Sequence, residues 1–506
     1  MRETLIIAPP PTPNGDLHVG HMAGPYLAAD IFARYRRAGG MRVNYATGTD
    51  DSQTYVVTSA EKLDMTPASL CREAASDIKA SLEAWGVELD GYAPFDDEYK
   101  RMVRDFLVPL HAEGVFKLKT VRLPYSVVRQ EFMVESYVSG DCPECLGSTR
   151  GGLCESCGHP NNFDMLIDPR STRAPFEQLE YREVDILVFP VEEYRSQLEA
   201  YYERVNGRWR PHILHLMREL LSKPLIDFPI TYPIAWGIKA PFPEVEGQVI
   251  NAWAEGMAAS MYCSHCGDDR RANIDSTWLR EADAELVYFL GFDNSYFWGV
   301  THLALLMAHR GKYILPTTIV PNEFYELEDS KFSTSRGHLI WARDLIKEVP
   351  RDYARFYLSL TCPENNRSSF SREGLVKAIN ERLVAPWNAL IDAYAAFDPV
   401  PPLSRSENRD PAVEQMVLRR DTCFALDTFS LRAATDWITQ NIARITRNLR
   451  EQTYRTIDRA NAEIAALVIG MAPIMIDHHA RLISLGVYEQ AKSGNARLSL
   501  AGMKPL

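Results

Sequence analysis

The chain has 506 residues, enough for about three domains at roughly 150 residues each. Its 46% hydrophobic and 24% charged residues are ordinary globular values, which exclude a disordered chain, a collagen-like repeat and a disulfide scaffold. A formal charge of −12 argues against a generic nucleic-acid coat, whose phosphate contacts need a basic surface, while leaving room for a local basic groove.

In chain order, a strand is expected at Thr4–Ala8, a Pro-rich loop at Pro9–Gly15, and a helix from about Val19 to Arg37. A second strand follows at Arg42–Thr47, closed by the polar turn Gly48-Thr49-Asp50-Asp51. Strand, helix and strand at this length make a βαβ unit, so the sheet should be parallel. A long stretch with a Cys cluster, aromatic segments and a Pro-rich run at Pro224–Pro243 then reads as an insertion. The strand–helix–strand pattern returns at Leu286–Leu290, Ser295–Arg310 and Tyr313–Val320, as the second half of one nucleotide-binding sheet. From about Arg372, apolar residues fall at three- and four-residue spacing (Leu375, Ile379, Leu383, Trp387, Leu390, Ile391), the pattern of a helical bundle. A polar break at Phe397–Pro411 interrupts the bundle, whose helices end in Ile474–Leu485. The fold class is therefore α/β: a Rossmann-like parallel-sheet domain with an inserted zinc-knuckle domain and a C-terminal α-helical bundle. The expected organisation is 1–115 for the first catalytic half, 116–235 for the insertion, 236–320 for the second half, 321–370 for a loop and linking subdomain, and 371–506 for the bundle. The longest apolar run, Ile464 to Ile476, is too short and too interrupted by Gly470 and Pro473 to cross a bilayer. The opening Met1-Arg2-Glu3-Thr4 reads without a secretory signal, and nine cysteines are too few for a disulfide framework, which points to a reducing, cytoplasmic compartment.

The most informative segment is Pro9-Pro10-Pro11-Thr12-Pro13-Asn14-Gly15-Asp16-Leu17-His18-Val19-Gly20-His21. A Pro/Gly-rich loop between strand and helix places His18 and His21 near a helix N-terminus, where free N–H donors and the positive dipole end attract phosphate. Two imidazoles there suit stabilisation of a phosphoryl transition state better than proton abstraction. A second segment, Asp329-Ser330-Lys331-Phe332-Ser333-Thr334-Ser335-Arg336-Gly337, has the Lys, Arg and hydroxyls to clamp a triphosphate tail. The Cys142, Cys145, Cys154, Cys157 spacing, C-x2-C-x8-C-x2-C, fits a closed tetrahedral Zn2+ site that folds a loop lacking its own core. Cys263 and Cys266 form a lone C-x2-C, read as unpaired thiols with a second metal site as the alternative, and Cys71, Cys362 and Cys423 read as packed or surface thiols.

His-Val-Gly-His and Lys-Phe-Ser-Thr-Ser together resemble the two signatures of class I aminoacyl-tRNA synthetases, and the flanks look closest to the methionyl type. The resemblance is supported by Gly48-Thr49-Asp50, by Asn251-Ala252-Trp253-Ala254-Glu255, by Leu286–Asp293 and by the cysteine knuckle. It implies an enzyme that activates an amino acid with ATP and Mg2+ and passes it to the 3′ end of a tRNA. His18 and His21 would stabilise the α-phosphate transition state and Lys331 would hold the departing pyrophosphate. Asn14, Gly20, Gly291, Asp293, Ser333 and Ser335 would line the ATP site, and Asp50 would accept the ammonium of the amino acid. Zn2+ would sit in the knuckle.

Several positions depart from the methionyl pattern. A Leu and a Tyr of the methionine pocket are Pro10 and Thr12 here, while the pocket Trp is kept as Trp253. The Tyr whose hydroxyl faces the methionine sulfur reads as Ser260, the pocket His as Trp298, and a nearby Phe as Thr301. A pocket repacked in this way is expected to prefer an amino acid other than methionine. Thr334 replaces the second Lys of the loop, and Asp51-Ser52-Gln53 replaces the usual Glu-His-Gly. In the bundle, the anticodon-reading Asn corresponds to Asn388 or Ala389, the Arg to Ala393, and the later Trp has no match. The basic residues Arg444, Arg447, Arg450, Arg455 and Arg459 read either as a solvated face, the usual role of such a cluster, or as the best candidate for a tRNA contact. The competing readings are a paralogue that charges a special tRNA, a carrier protein or a small molecule, a catalytically silent RNA-binding homologue, and a small nucleotidylyltransferase sharing His-x-Gly-His.

Overall fold

The computed structural model describes residues 2–174, 176–205, 209–267, 276–328, 330–331, 339–399, 411–454, 456–493 and 497–506, with Ser330, Lys331 and Ser493 by backbone alone. Five parallel strands, Thr4–Ile7 (β1), Val43–Gly48 (β2), Gly91–Ala93 (β3), Glu285–Gly291 (β4) and Thr318–Asn322 (β5), lie in the spatial order β5-β4-β1-β2-β3. Leu5, Ile6 and Ile7 and the run Leu286 to Leu290 are wholly buried, as strands covered on both faces require. The order reverses at β1: the chain steps outward to β2 and β3, then returns on the other side as β4. In open α/β sheets this reversal opens a crevice outside the carboxyl ends of the strands, where ligands bind. The loops after β1 and β4 start there.

The segment between β1 and β2 is helical over Val19–His21, widens at Met22–Tyr26, and continues over Leu27–Ala38; together these are α1. The wide turn has a local cause: Pro25 has no N–H for the helix ladder, and Gly24 leaves helical geometry at ψ −118°. Two compact units divide the chain: Met1–Leu17, Gly39–Leu82 and Glu88–Asn322 in the first, His18–Ala38, Glu83–Val87 and Glu323–Leu506 in the second. The division falls within the histidine segment, between Leu17 and His18.

In the first unit the inserted region is built on Lys117–Ser126 paired antiparallel with Glu180–Phe189, over a small core that includes Leu123, Val134, Val138 and Phe163. The helix Ala252–His265 (α2) precedes β4, and His302–Ala308 (α3) follows it. The expected strand at Tyr313–Val320 starts only at Thr318, because Pro316 cannot donate to a ladder.

The second unit carries the helices Arg351–Leu360 (α4), Ala385–Ala396 (α5), Pro411–Phe424 (α6), Leu431–Arg450 (α7) and Ile457–Met471 (α8). On α7, Leu431, Ala434, Ile438, Ile442, Ile445 and Leu449 repeat at helical spacing and are all buried, and the Ser430 side chain caps the N-terminus by accepting from the Ala433 N–H. Two elements lie beyond the expected end of the bundle: a short helix Val487–Ser493 and a tail folded back on α5, where Trp387 Nε1–H donates to Ala501 O at 2.9 Å. Among the described residues no helix is long and apolar enough to cross a membrane.

Candidate active site

The loop after β1 is tied to the end of β2 by three bonds: the Asp50 N–H donates to Pro11 O at 3.0 Å, Thr47 Oγ1–H to Ala8 O at 2.9 Å and the Ala8 N–H to Ala46 O at 3.4 Å. Pro10, Thr12 and Asn14 are half-buried on this loop, and the Asn14 N–H turns back to Thr12 O. Asp50 lies 6% exposed. Its Oδ2 accepts from Gln53 Nε2 at 2.7 Å, while Oδ1 has no partner. Glu255 on α2 is fully buried; its Oε1 accepts from the Tyr99 hydroxyl at 3.2 Å and its Oε2 has no partner. Glu135 Oε2 accepts from Thr54 Oγ1–H at 3.0 Å and its Oε1 is likewise unpartnered. Burial, and then the charge of Glu255, holds Asp50 well above the ordinary carboxylate range. Burial raises Glu255 to about 8 and Glu135 to about 7. Each of the three buried carboxyls therefore keeps one oxygen without a hydrogen-bond partner, an arrangement that is costly unless a donor meets it.

Around this cluster, a Cβ on Gly256 would lie 3.6 Å from Asp50 Oδ2, so the α2 backbone passes close to the carboxylate. Trp253 stacks on Phe297 with ring centres 3.8 Å apart. Ser260 is wholly buried, and its hydroxyl donates to Gly256 O at 3.0 Å. Trp298 is buried edge-on to Tyr288 at 5.0 Å and to His302 at 5.1 Å, and Thr301 Oγ1–H donates to Phe297 O at 2.7 Å. Burial pushes His302 down to about 3, so its ring is neutral, with Nδ1 at 3.3 Å from the Tyr288 hydroxyl. At the end of β4, a Cβ on Gly291 would come within 2.6 Å of Asp293 Oδ1, so a larger residue there would push the Asp293 carboxylate aside. Asp293 is raised by burial despite the Asn294 Nδ2 donor at 3.1 Å.

In the second unit His18 and His21 stack with ring centres 3.7 Å apart. The His18 N–H donates to His21 Nδ1 at 3.2 Å, which places the proton of the neutral ring on Nε2. Desolvation lowers His21 to about 4, so this ring is a neutral N–H donor at neutral pH. Gly20 lies between the two histidines in the first helical turn. Val19 N–H donates to Ile340 O at 2.9 Å and His18 pairs antiparallel with Trp341, so the segment following the lysine loop is hydrogen-bonded to the histidine segment. Lys331 is in a two-residue strand opposite Glu326. Its side chain, with Ser333, Thr334, Ser335 and Arg336, lies outside the described residues.

The sulfurs of Cys142, Cys145, Cys154 and Cys157 all lie within 4.8 Å of one another, at 3.9 Å for Cys142–Cys157 and 3.6 Å for Cys145–Cys154. Four thiolates 2.3 Å from a tetrahedral Zn2+ would sit about 3.8 Å apart, so the donor set and its spacing fit the metal.

A family model described as tRNA synthetases class I (M) matches residues 4–394. The chain belongs to this family. It is 32% identical over 393 residues to the methionine–tRNA ligase of Thermomicrobium roseum, covering 76% of this chain and 67% of that protein. To the methionine–tRNA ligase of Roseiflexus castenholzii it is 30% identical over 501 residues, covering 94% and 84%. The solved structure of Mycobacterium tuberculosis methionyl-tRNA synthetase in complex with methionyl-adenylate shares the fold, with a TM-score of 0.72 at 19% identity, over 100% of this chain and 99% of that one. As a class I aminoacyl-tRNA synthetase the chain is a ligase.

Of the synthetase residues expected from the sequence, the structure joins the Pro10–Asn14 loop, Asp50 and the α2 segment bearing Trp253, and separately pairs His18 with His21. Glu255 and Glu135 carried no assigned role. Glu255 had a signal, an acid within a helix otherwise buried nearly all round; Glu135 had none. In the bundle the basic cluster divides: Arg444 Nη1 is paired to the buried Glu463 at 2.6 Å, Arg447 and Arg450 are exposed, and Arg455 lies outside the described residues. The Asn388 amide is occupied by the tail, accepting from the Met503 N–H and donating to Met503 O, both at 2.9 Å.

Proposed function

We propose that the chain activates an amino acid with ATP and transfers it to the 3′ end of a tRNA. An oxygen of the amino-acid carboxylate attacks the α-phosphorus, the bond to the β-phosphate breaks, and pyrophosphate leaves. A ribose hydroxyl then attacks the acyl carbon and AMP leaves. His18 and His21 donate to the phosphoryl oxygens as charge builds there, and the neutral His21 ring does this without a proton changing hands. Asn14, Gly20, Gly291, Asp293, Ser333 and Ser335 hold ATP, and Lys331 holds the pyrophosphate. Asp50 takes the α-ammonium, and the buried Glu255 and Glu135 offer further carboxyl oxygens beside it, with Glu255 keeping its proton at neutral pH. Mg2+ would accompany the triphosphate and shield its charge. Zn2+ in the four-cysteine knuckle would fold the inserted region without taking part in the reaction.

The observation that supports this reading most is the His21 ring, half-buried and neutral, with Nδ1 occupied by the His18 N–H and Nε2–H left to donate. A finer reading concerns the amino acid. Where methionyl enzymes present a Tyr hydroxyl to the methionine sulfur, this chain has Ser260, whose hydroxyl is already committed to Gly256 O. Trp298 replaces the pocket His and fills space with indole. This composition favours an amino acid other than methionine, and allows an acceptor other than a standard tRNA. ATP–pyrophosphate exchange over a panel of amino acids, with and without total tRNA, tests both levels. Exchange with at least one amino acid is expected; exchange with none contradicts the adenylation reading. Methionine far ahead of all others contradicts the finer one.

A further inference from the structure

Arg355 on α4 is the one buried arginine among the described residues, with 0% exposure. Its guanidinium makes four hydrogen bonds: Nε to Ile474 O at 3.0 Å, Nη1 to Trp85 O at 3.1 Å, and Nη2 to Pro473 O at 2.8 Å and Asp30 Oδ2 at 2.7 Å. Asp30 lies on α1, the helix that begins with the histidine pair, and also accepts from Arg34 Nε at 3.0 Å. Trp85 continues the connection: its Nε1–H donates to Ala342 O at 2.9 Å. Ala342 directly follows Ile340 and Trp341, the two residues bonded to Val19 and His18.

We propose that Arg355, Asp30 and Trp85 form a positioning hub for the adenylation reaction, fixing the histidine pair through α1 and the exit of the lysine loop through Trp85. None of the three is a catalytic residue. The inference rests on the adenylation reading given above.

The physical case is one of rigidity. A fully buried guanidinium has no water to fall back on, so leaving one of its bonds unmade is costly and the cluster has essentially one arrangement. The planar fork reaches three separate chain segments at once, which the point charge of a lysine cannot do. Two routes run from that one group to residues 18–21: along α1 from Asp30, and by way of Trp85, Ala342 and the 340–341 segment. Positioning at this scale matters to rate, because a displacement of about 1 Å at a reacting group costs on the order of 100-fold.

Two conservative variants test the hub: Trp85→Phe, which removes one N–H donor and keeps an aromatic ring, and Arg355→Lys, which keeps the charge and loses the fork. Each is compared with wild type in ATP–pyrophosphate exchange, using the amino acid that gives the highest wild-type rate. Hydrogen exchange at the Val19 amide and the thermal midpoint are measured on the same samples. The hub predicts that kcat falls by about 10- to 100-fold while the KM for the amino acid, which binds at Asp50, stays within about two-fold. It also predicts that the Val19 amide of Trp85→Phe exchanges at least about ten-fold faster at an unchanged thermal midpoint. Folded Trp85→Phe with wild-type kcat and wild-type Val19 protection overturns the hub. So does a fall in kcat matched by a rise in amino-acid KM, the pattern of general loosening. If Arg355→Lys does not fold, Trp85→Phe carries the test alone. If the wild-type chain shows no exchange with any amino acid, the adenylation reading fails, while Val19 protection still reports whether the hub holds the histidine segment.

Discussion

Asp30 and Asp50 are both withdrawn from water, at 0% and 6% exposure, and their surroundings differ in kind. Asp30 faces the guanidiniums of Arg34 and Arg355. Asp50 feels three other acids, Glu255, Glu135 and Asp51, keeps one oxygen without a partner and is pushed toward its protonated form, first of all by burial. A protein that buries charge for structure saturates it, as around Arg355. A protein that buries charge for a ligand leaves it short of what the ligand brings, which on the reading proposed above is an ammonium group. The separation matches the division of labour proposed above: the first unit selects the amino acid, and a saturated cluster in the second unit holds the histidine segment.

The largest expected effect breaks the saturated side. Asp30→Asn strands a buried guanidinium, and should lower stability in denaturant titration by about 3–5 kcal/mol. Next, His18→Ala or His21→Ala should raise the adenylation barrier by about 2–4 kcal/mol, seen as a roughly 30- to 1,000-fold slower ATP–pyrophosphate exchange at an unchanged thermal midpoint. Chelation sharpens the picture elsewhere. Stripping metal with a chelator, or Cys142→Ser, should release about one Zn2+ per chain and loosen the inserted region in proteolysis. The most gradual effect belongs to the unsaturated side and is spread over several pH units. Glu255 has a folded pKa of about 8 against an ordinary 4.5, so between those values the folded chain holds a proton that the unfolded chain has lost. Stability should therefore fall as pH rises from 4.5 to 8, by at most about 1.4 kcal/mol per pH unit, against a background set by Asp50, Asp51 and Glu135 nearby. Glu255→Gln should flatten that slope.

Much of this was legible in the sequence, for physical reasons. Four of the five sheet strands announce themselves as short apolar runs, while Gly91–Ala93 and the polar strands Lys117–Ser126 and Glu180–Phe189 do not; the bundle shows by helical periodicity, the knuckle by paired cysteines, and the histidine segment by its place between strand and helix. Other features depend on tertiary contacts that no local pattern encodes. Nothing in Asp30 or Arg355, 325 residues apart, marks them as partners. Glu135 comes to its site from the inserted region, and the unit boundary between Leu17 and His18 divides a motif that reads as one piece. The arginine run on α7 shows the converse: a pattern legible as a basic face, of which Arg444 turns out to be tied to Glu463.

The comparison of the two aspartates reduces to one experiment on Asp50→Asn, with amino-acid-dependent ATP–pyrophosphate exchange and the thermal midpoint measured on the same preparation. The account predicts that exchange falls by at least about 100-fold, as loss of a buried charge partner implies, while the midpoint holds or rises because a strained buried acid is gone. Retained exchange, or a midpoint that drops as far as that of Asp30→Asn, would contradict it.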